Sequence, residues 1–402
     1  MSGPLDGIRV LDLTRYVAGP HATQMLGDFG ADVAKLEGLE GDGARLIDDK
    51  LGPGDSLFSL MFNRSKRSLA IDLRTEGGRE MLTELAGVAD VVVENFRPGV
   101  MESMGFGWDR LHAINPRLVM TRISGFGQDG PWAGRASYDP VIQALSGIQE
   151  LTGQADGPPT VCGTIITDYL TGLFAVIGTV TALQARERTG EGQMVDVSML
   201  EGATSLLMTS IPEYLLHGVK RTRRGNKNPI SVPSHSFLCG DGRYVHITAW
   251  SDPEFAKLAV AMEMPDLPKD PRFNSILNRS ANDTALEKIV GDWMQALTAE
   301  EAERRMLAQR LATARVATMD EVATNPQLQH RGHIIELDHP VHGKVPVAGP
   351  PMRFSGTPVD SDYRVPTLGQ HSVELLTEWL DIDEARLEKL AADRVIGIAE
   401  TG

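Results

Sequence analysis

Asp168 is the one charged residue between Val161 and Gln184, at the point where an apolar approach segment (161–167) meets an apolar run from about Tyr169 to Gln184. A carboxylate in such surroundings needs a reason, because an unpaired buried charge is costly and usually takes up a proton. One reason is local: Thr167 or Asp168 caps a helix, whose N-terminus favours negative charge. The other is chemical, a carboxylate kept from water so that it can attack an electrophile. Gly172, four residues on and on the same helix face, would leave space beside it for a bulky reactant. On this stretch alone both readings stand. A second group with chemical capacity is Asn95-Phe96-Arg97-Pro98-Gly99, directly after the apolar strand Val91–Glu94. Ligands of open α/β sheets bind beyond the carboxyl ends of the strands, where Phe96 could lie on a flat base and Arg97 could pair with a phosphate. The plainer alternative is a loop whose Phe only packs.

Several familiar chemistries are missing. Ala18-Gly19-Pro20 replaces the three-glycine dinucleotide fingerprint in the first turn, and Pro20 obstructs close phosphate approach. Neither a phosphate-binding Gly-x4-Gly-Lys-Ser/Thr loop nor a Gly-x-Ser-x-Gly elbow is present. His330 with His333, and His339 with His342, have no supporting ligands at metal spacing and read as surface histidines, so no metal site is expected. The basic run Lys220, Arg221, Arg223, Arg224 and Lys227 reads as a solvated hinge or as a patch that steers phosphates.

These residues must be positioned by a scaffold that the first two hundred residues outline. Ile8–Leu13, Asp32–Leu36, Ser68–Leu73, Val91–Glu94, Leu118–Ser124 and Met194–Ser198 read as strands. Helical patterns at Gly19–Phe29, Thr75–Ala86, Val100–Ile114, 169–184 and Met199–His217 fall among them, which predicts a mostly parallel sheet covered by helices. The expected division is 1–200 for a large α/β domain, 201–225 for a helix and linker, 226–325 for a small α+β domain and 326–402 for a return linker and the rest of the large domain. The small domain should hold the hairpin His235–Leu238/Tyr244–Thr248 and helices at Pro253–Met262, Ala281–Leu297 and Ala302–Leu311. Asn325–Pro366 reads as largely extended and Ser372–Arg394 as helical. With 402 residues, 42% apolar and 23% charged, the composition is that of a soluble globular protein. A net charge of −15 argues against a nucleic-acid partner, and Cys162 and Cys239 form no disulfide framework. No signal peptide or confident membrane span is read, so a cytoplasmic location is expected.

Taken in order, Pro4-Leu5-Asp6-Gly7-Ile8-Arg9-Val10-Leu11-Asp12, Ala18-Gly19-Pro20, Gly30-Ala31-Asp32-Val33 through Glu37, Asn63-Arg64-Ser65-Lys66-Arg67-Ser68, Val93-Glu94-Asn95-Phe96-Arg97-Pro98-Gly99, Gly157-Pro158-Pro159-Thr160, Thr189-Gly190-Glu191-Gly192-Gln193 and Leu368-Gly369-Gln370-His371 closely resemble the class III CoA-transferases. That group contains formyl-CoA transferase, carnitine CoA-transferase and α-methylacyl-CoA racemase. The resemblance spans nearly the whole chain. It implies a large Rossmann-like domain, a smaller α+β domain and an interlocked homodimer. Its chemistry is transfer of CoA from an acyl-CoA donor to a carboxylic acid, with Asp168 as the nucleophile passing through an aspartyl anhydride and an aspartyl-CoA thioester. Coenzyme A is then a substrate, and no tightly bound cofactor is expected. Val17, Ala18, Ile71, Arg74, Asn95, Phe96 and Arg97 match the CoA-contacting positions, with Tyr138 and Asp139 near the thioester. Departures are Val17 where formyl-CoA transferase has Gln, Gly38 at its adenine-side Arg, with Arg45 or the 220–227 patch as substitutes, and Ala136 at its Lys, with Arg135 adjacent and, like a lid cation, a possible partner for a small dicarboxylate. Gly225–Pro229 stands where its glycine-rich lid would be. The alternatives are a racemase, whose His-Asp pair is here Tyr138-Asp139, and a non-catalytic acyl-CoA-binding relative.

Overall fold

The computed structural model describes residues 3–48, 51, 55–228, 231–339, 342–359, 363 and 365–399. The chain forms two compact units. The larger comprises Met1–Ile148, Val161–Pro212 and Gln327–Gly402, and the smaller comprises Gln149–Thr160 with Glu213–Pro326.

Strands β1 (Arg9–Asp12), β2 (Asp32–Glu37), β3 (Arg67–Ile71), β4 (Val91–Glu94), β5 (Val119–Ser124) and β6 (Met194–Ser198) make a parallel sheet in the larger unit. Its order is 3-2-1-4-5-6, extended at the β3 edge by the antiparallel pairing of a late two-residue strand, Ile396–Gly397. Parallel strands covered on both faces read as near-continuous apolar runs, and all of Val91–Glu94 and Val119–Ser124 is buried. One face carries Met81, Leu82 and Leu85 from the helix Glu76–Val88 with Leu375, Leu376 and Trp379 from the chain's return. The other carries Ala22, Met25 and Leu26 of the helix Ala18–Asp28 with Ala175, Val176 and Leu183 of the long helix Ile166–Thr189. That long helix is the one described helix long and apolar enough to cross a membrane; here it lies against β5, β6 and the 18–28 helix.

In the smaller unit, β7 (Ser234–Leu238), β8 (Tyr244–Thr248) and β9 (Ala312–Arg315) form an antiparallel sheet. Phe255, Leu258, Leu286, Val290, Met294 and Met306 from three helices cover it. This unit takes in residues 149–160 and 213–225, which the sequence did not assign to it. The ties are local: Arg223 Nε donates to the Gly157 carbonyl at 3.0 Å and the Gly225 amide to the Gly153 carbonyl at 2.8 Å.

Other departures have similar causes. The single helix expected at 100–114 is two, Val100–Ser103 and Trp108–Ile114, parted at Gly105 with φ +83°. The helix expected at 199–217 divides into Met199–Ser205 and Ser210–His217. The stretch 325–366 is less extended than expected. It contains the short helix Pro326–His330 and the hairpin β10 (Ile334–His339)/β11 (Gly343–Ala348), while residues 340, 341, 360–362 and 364 lie outside the described set. The terminal strand Ile396–Gly397 is β12.

Candidate active site

In the order 3-2-1-4-5-6 the connections run opposite ways on either side of the β1–β4 pair, opening a crevice at the carboxyl ends of those two strands. The loops leaving them are laced together. The Arg15 amide donates to Asn95 Oδ1 at 2.8 Å, and Asn95 Nδ2 donates to the Arg15 carbonyl at 2.8 Å. The Arg15 guanidinium lies 5.5 Å from the Phe96 ring centre. The turn after β4 is anchored by Glu94, which accepts the Phe96 amide at 2.7 Å and Arg122 Nε at 2.7 Å. Tyr16, in the same crevice, has φ +64°, an uncommon conformation for a non-glycine residue that often marks a constrained functional segment.

Two cavities open from this crevice and share Arg15 and Phe96. The larger, about 720 Å³, lies beyond β1, β2 and β3 and is lined by residues including Glu37, Gly38, Ile71, Arg74 and Arg79. The smaller, about 250 Å³, is lined by Val17, Ala18, Asn95, Arg97, Tyr138 and Asp168, among others. Thus nine of the ten site residues expected from sequence line one or other cavity, and Asp139 lines neither.

Asp139 is 3% exposed, and its carboxylate faces the start of the long helix. Oδ1 accepts the Thr167 amide at 2.7 Å, the Thr167 hydroxyl at 2.6 Å and the Asp168 amide at 3.4 Å, while Oδ2 accepts Gln143 Nε2 at 2.6 Å. The residue before the helix, Ile165, has no capping oxygen, so Asp139 supplies the acceptors that the first-turn amides lack. This corrects the capping expectation: neither Thr167 nor Asp168 is the cap, and the Asp139 carboxylate, beside Asp168, takes the helix-start donors.

Asp168 is consequently left over. It lies in the first turn, half-buried, and its carboxylate has no hydrogen-bond donor among the described residues. Burial, and secondarily the Asp139 carboxylate, pushes its pKa up from 3.8 to about 7. The Gly172 expectation also changes. A Cβ there would meet His21 Cδ2 at 2.8 Å and the Ala18 carbonyl at 3.0 Å, so this glycine admits the 18–28 helix rather than a reactant. Val17 and Ala18 sit at the N-terminus of that helix, whose cap has no side-chain acceptor; Pro20 has no N–H and the His21 amide donates to the Val17 carbonyl at 2.8 Å, so the leading amides are those of Ala18 and Gly19.

Beneath the crevice lies a chain of buried charges. Asp12 accepts Lys66 Nζ at 2.8 Å and the Thr14 and Thr23 hydroxyls at 2.5 and 2.6 Å. Lys35 donates to the Thr14 carbonyl and pairs with Asp42 at 3.4 Å, and Asp42 accepts the Tyr16 amide at 3.1 Å. These contacts fix the 14–16 turn. Lys66 lay in a stretch identified by resemblance without an assigned role; standing between Arg64 and Arg67, it gives no hint of a partner 54 positions away. Arg45 is not available to a ligand, because it grips both Glu37 oxygens at 2.8 Å and Asp55 at 3.0 Å. His339, expected at the surface, is buried with Nε2 2.9 Å from Asp55. Cations that do line the larger cavity are Arg15, Arg74 and Arg79, of which Arg15 and Arg79 had not been singled out. In the 220–227 run, Arg221 pairs with Glu213, Arg223 with Glu150 and Lys227 with Glu287. That segment belongs to the smaller unit; Pro229 of the expected lid lies outside the described residues.

Comparison with known proteins shows the family. A family model described as CoA-transferase family III matches residues 5–372. The succinyl-CoA–D-citramalate CoA-transferase of Chloroflexus aurantiacus is 39% identical over 394 residues, covering 98% of each chain. The succinyl-CoA:glutarate CoA-transferase of Mus musculus is 35% identical over 99% of this chain and 91% of its own. A CAIB/BAIF family protein from Brucella suis superposes with a TM-score of 0.84 and 36% identity over 94% of this chain and 100% of that one. The chain belongs to CoA-transferase family III and is a CoA-transferase.

Proposed function

We propose that Asp168 carries CoA from an acyl-CoA donor to a carboxylic acid acceptor by covalent catalysis. The observation that supports this most is a half-buried carboxylate with no donor among the described residues, lining a cavity while its neighbour Asp139 takes over the helix start. An Asp168 oxygen attacks the thioester carbonyl carbon, the C–S bond breaks and CoA leaves as thiolate, giving an aspartyl-acyl anhydride. The thiolate then attacks the aspartyl carbonyl carbon and expels the donor acid, leaving an aspartyl-CoA thioester. The acceptor carboxylate attacks that thioester, forming a second anhydride and freeing the thiolate again. Attack of the thiolate on the acceptor's acyl carbon yields the new acyl-CoA and restores Asp168. Leading amides of the 18–28 helix are suited to the tetrahedral oxyanions, and exclusion of water protects the anhydrides.

In this reading the CoA nucleotide occupies the larger cavity, with Ile71 and Arg74 at its wall, and its thiol end passes Phe96, Asn95 and Arg97 toward Asp168. No resident cofactor takes part. The two CoA-transferases named above, of Chloroflexus aurantiacus and Mus musculus, and a succinyl-CoA:mesaconate CoA-transferase of Haloarcula hispanica at 37% identity each pair succinyl-CoA with a dicarboxylic acid. The same class of donor and acceptor is the one we assign here, in a cytoplasmic enzyme that works as an interlocked homodimer. α-Epimerisation is less well supported, because it needs a second base across the α-carbon and Asp139 is turned away from the cavity.

The test is intact-mass and peptide analysis of protein quenched during turnover with succinyl-CoA. Acyl and CoA adducts should map to the peptide holding Asp168. Adducts confined to another residue, or none while exchange proceeds, would refute the proposal.

A further inference from the structure

The loop between β5 and the helix Asp139–Ser146 is folded on itself. Gly125 at one end lies against Ser137 at the other, so closely that a Cβ on Gly125 would meet Ser137 Cβ at 2.5 Å. The Gln128 amide donates to Asp196 Oδ2 at 2.9 Å, tying the loop to β6. On the loop stand Phe126 and Trp132, edge to face with ring centres 5.8 Å apart. The Arg135 guanidinium is held by both, 4.6 Å from the Trp132 ring centre and 5.4 Å from that of Phe126. Arg135 lines the Asp168 cavity but not the larger one, and its guanidinium pairs with no carboxylate among the described residues. In a chain with 54 acidic and 39 basic side chains, a cation set in place by two aromatic rings and left without an anion has a position available for one.

We infer that Arg135 is a specificity-determining residue that binds the remote, unreacting carboxylate of a dicarboxylic donor or acceptor. The inference rests on the CoA-transfer reading and deepens it. A cavity of about 250 Å³ suits a short acid rather than a nucleotide, and Arg15, Arg74 and Arg79 along the larger cavity are the cations placed for phosphates. A planar guanidinium held over an indole ring can offer two parallel N–H donors to a carboxylate. With one end of the acid held there, the other end is presented to Asp168. A monocarboxylic acid of equal length leaves the cation unanswered, so selectivity follows from the missing pair.

The experiment measures kcat/KM for succinate and for butyrate as acceptors, in the wild type, Arg135→Gln and Arg135→Lys. In a double-displacement reaction this ratio reports the second half-reaction, so the donor's own carboxylate does not enter. The wild type should prefer succinate. Arg135→Gln should lower the succinate-to-butyrate ratio about 10- to 100-fold, mainly through KM, and Arg135→Lys should fall between. CoA binding measured by calorimetry should match the wild type in both variants, which separates lost selectivity from lost folding. Equal loss on both acids, a wild-type preference for butyrate, or an unaltered ratio overturns the assignment while leaving CoA transfer in place. Failure of the wild type to move CoA to any acid overturns both.

Discussion

Replacing Asp168 by Asn should abolish transfer and yet make the protein more stable, by an amount that depends on pH. The folded-state pKa of Asp168 is raised from 3.8 to about 7, through burial first and Asp139 second. Below about pH 3.8 the group is protonated in both folded and unfolded chains, and its charge has no effect. Between 3.8 and 7 the folded protein keeps a proton that the unfolded chain has released, so stability falls as pH rises. Above 7 the full penalty applies: at about 1.4 kcal/mol per pH unit it approaches about 4 kcal/mol, lowered to about 2–4 kcal/mol by the water that reaches a half-buried group. Asn carries no such charge. At about 2–4 °C per kcal/mol, thermal unfolding of Asp168→Asn should exceed that of the wild type by about 4–16 °C at pH 8. The gap should shrink steadily as the pH is lowered toward 5. The wild-type transfer rate should rise through about pH 7, because the attacking species is the carboxylate. A stability gap that is independent of pH, or an Asn variant that is weaker at pH 8, would show that the carboxylate is not held in the environment described.

Asp139→Asn removes the charge beside Asp168 and weakens the acceptor for the Thr167 amide, so the acidic limb of the transfer pH profile should move to lower pH while kcat falls; a limb that stays in place contradicts that coupling. Gly172→Ala forces a methyl group to within about 3 Å of His21 and the Ala18 carbonyl and should destabilise the fold by about 1–3 kcal/mol, read by chemical denaturation. Sedimentation at micromolar concentration should find a dimer that persists on dilution, and monomers there would refute the interlocked assembly.

Strands of the large sheet were legible because both faces are covered, which leaves apolar runs such as Val91-Val92-Val93 that few other structures accommodate. The strand order that locates the crevice is not written in the alternation, but the turn after Val91–Glu94 was legible as a ligand-binding place, since ligands of open α/β sheets bind beyond the carboxyl ends of strands. The cap of the long helix was not, because Asp139 reaches Thr167 from 28 residues away, and nothing in the local pattern at 166–168 announces a remote acceptor. Gly172 misled in the same manner: an absent side chain makes space, but sequence does not say which neighbour fills it. Arg45 was read as a possible nucleotide partner and His339 as a surface residue, because their partners Glu37 and Asp55 lie in separate segments and charged residues are seldom so deeply buried. The β10–β11 hairpin was hidden by Pro346 within its second strand, a residue that normally argues against one.

The reciprocal amide clasp between Arg15 and Asn95 has a consequence for how substrate is read. Arg15 and its ring neighbour Phe96 form the partition common to both chambers, so under the proposed function a nucleotide gripping one side presses on the same wall that bounds the reacting end. Affinity gathered far from the thioester can thereby be spent on aligning it, so the handle of the coenzyme is part of the catalytic apparatus and not merely a tether.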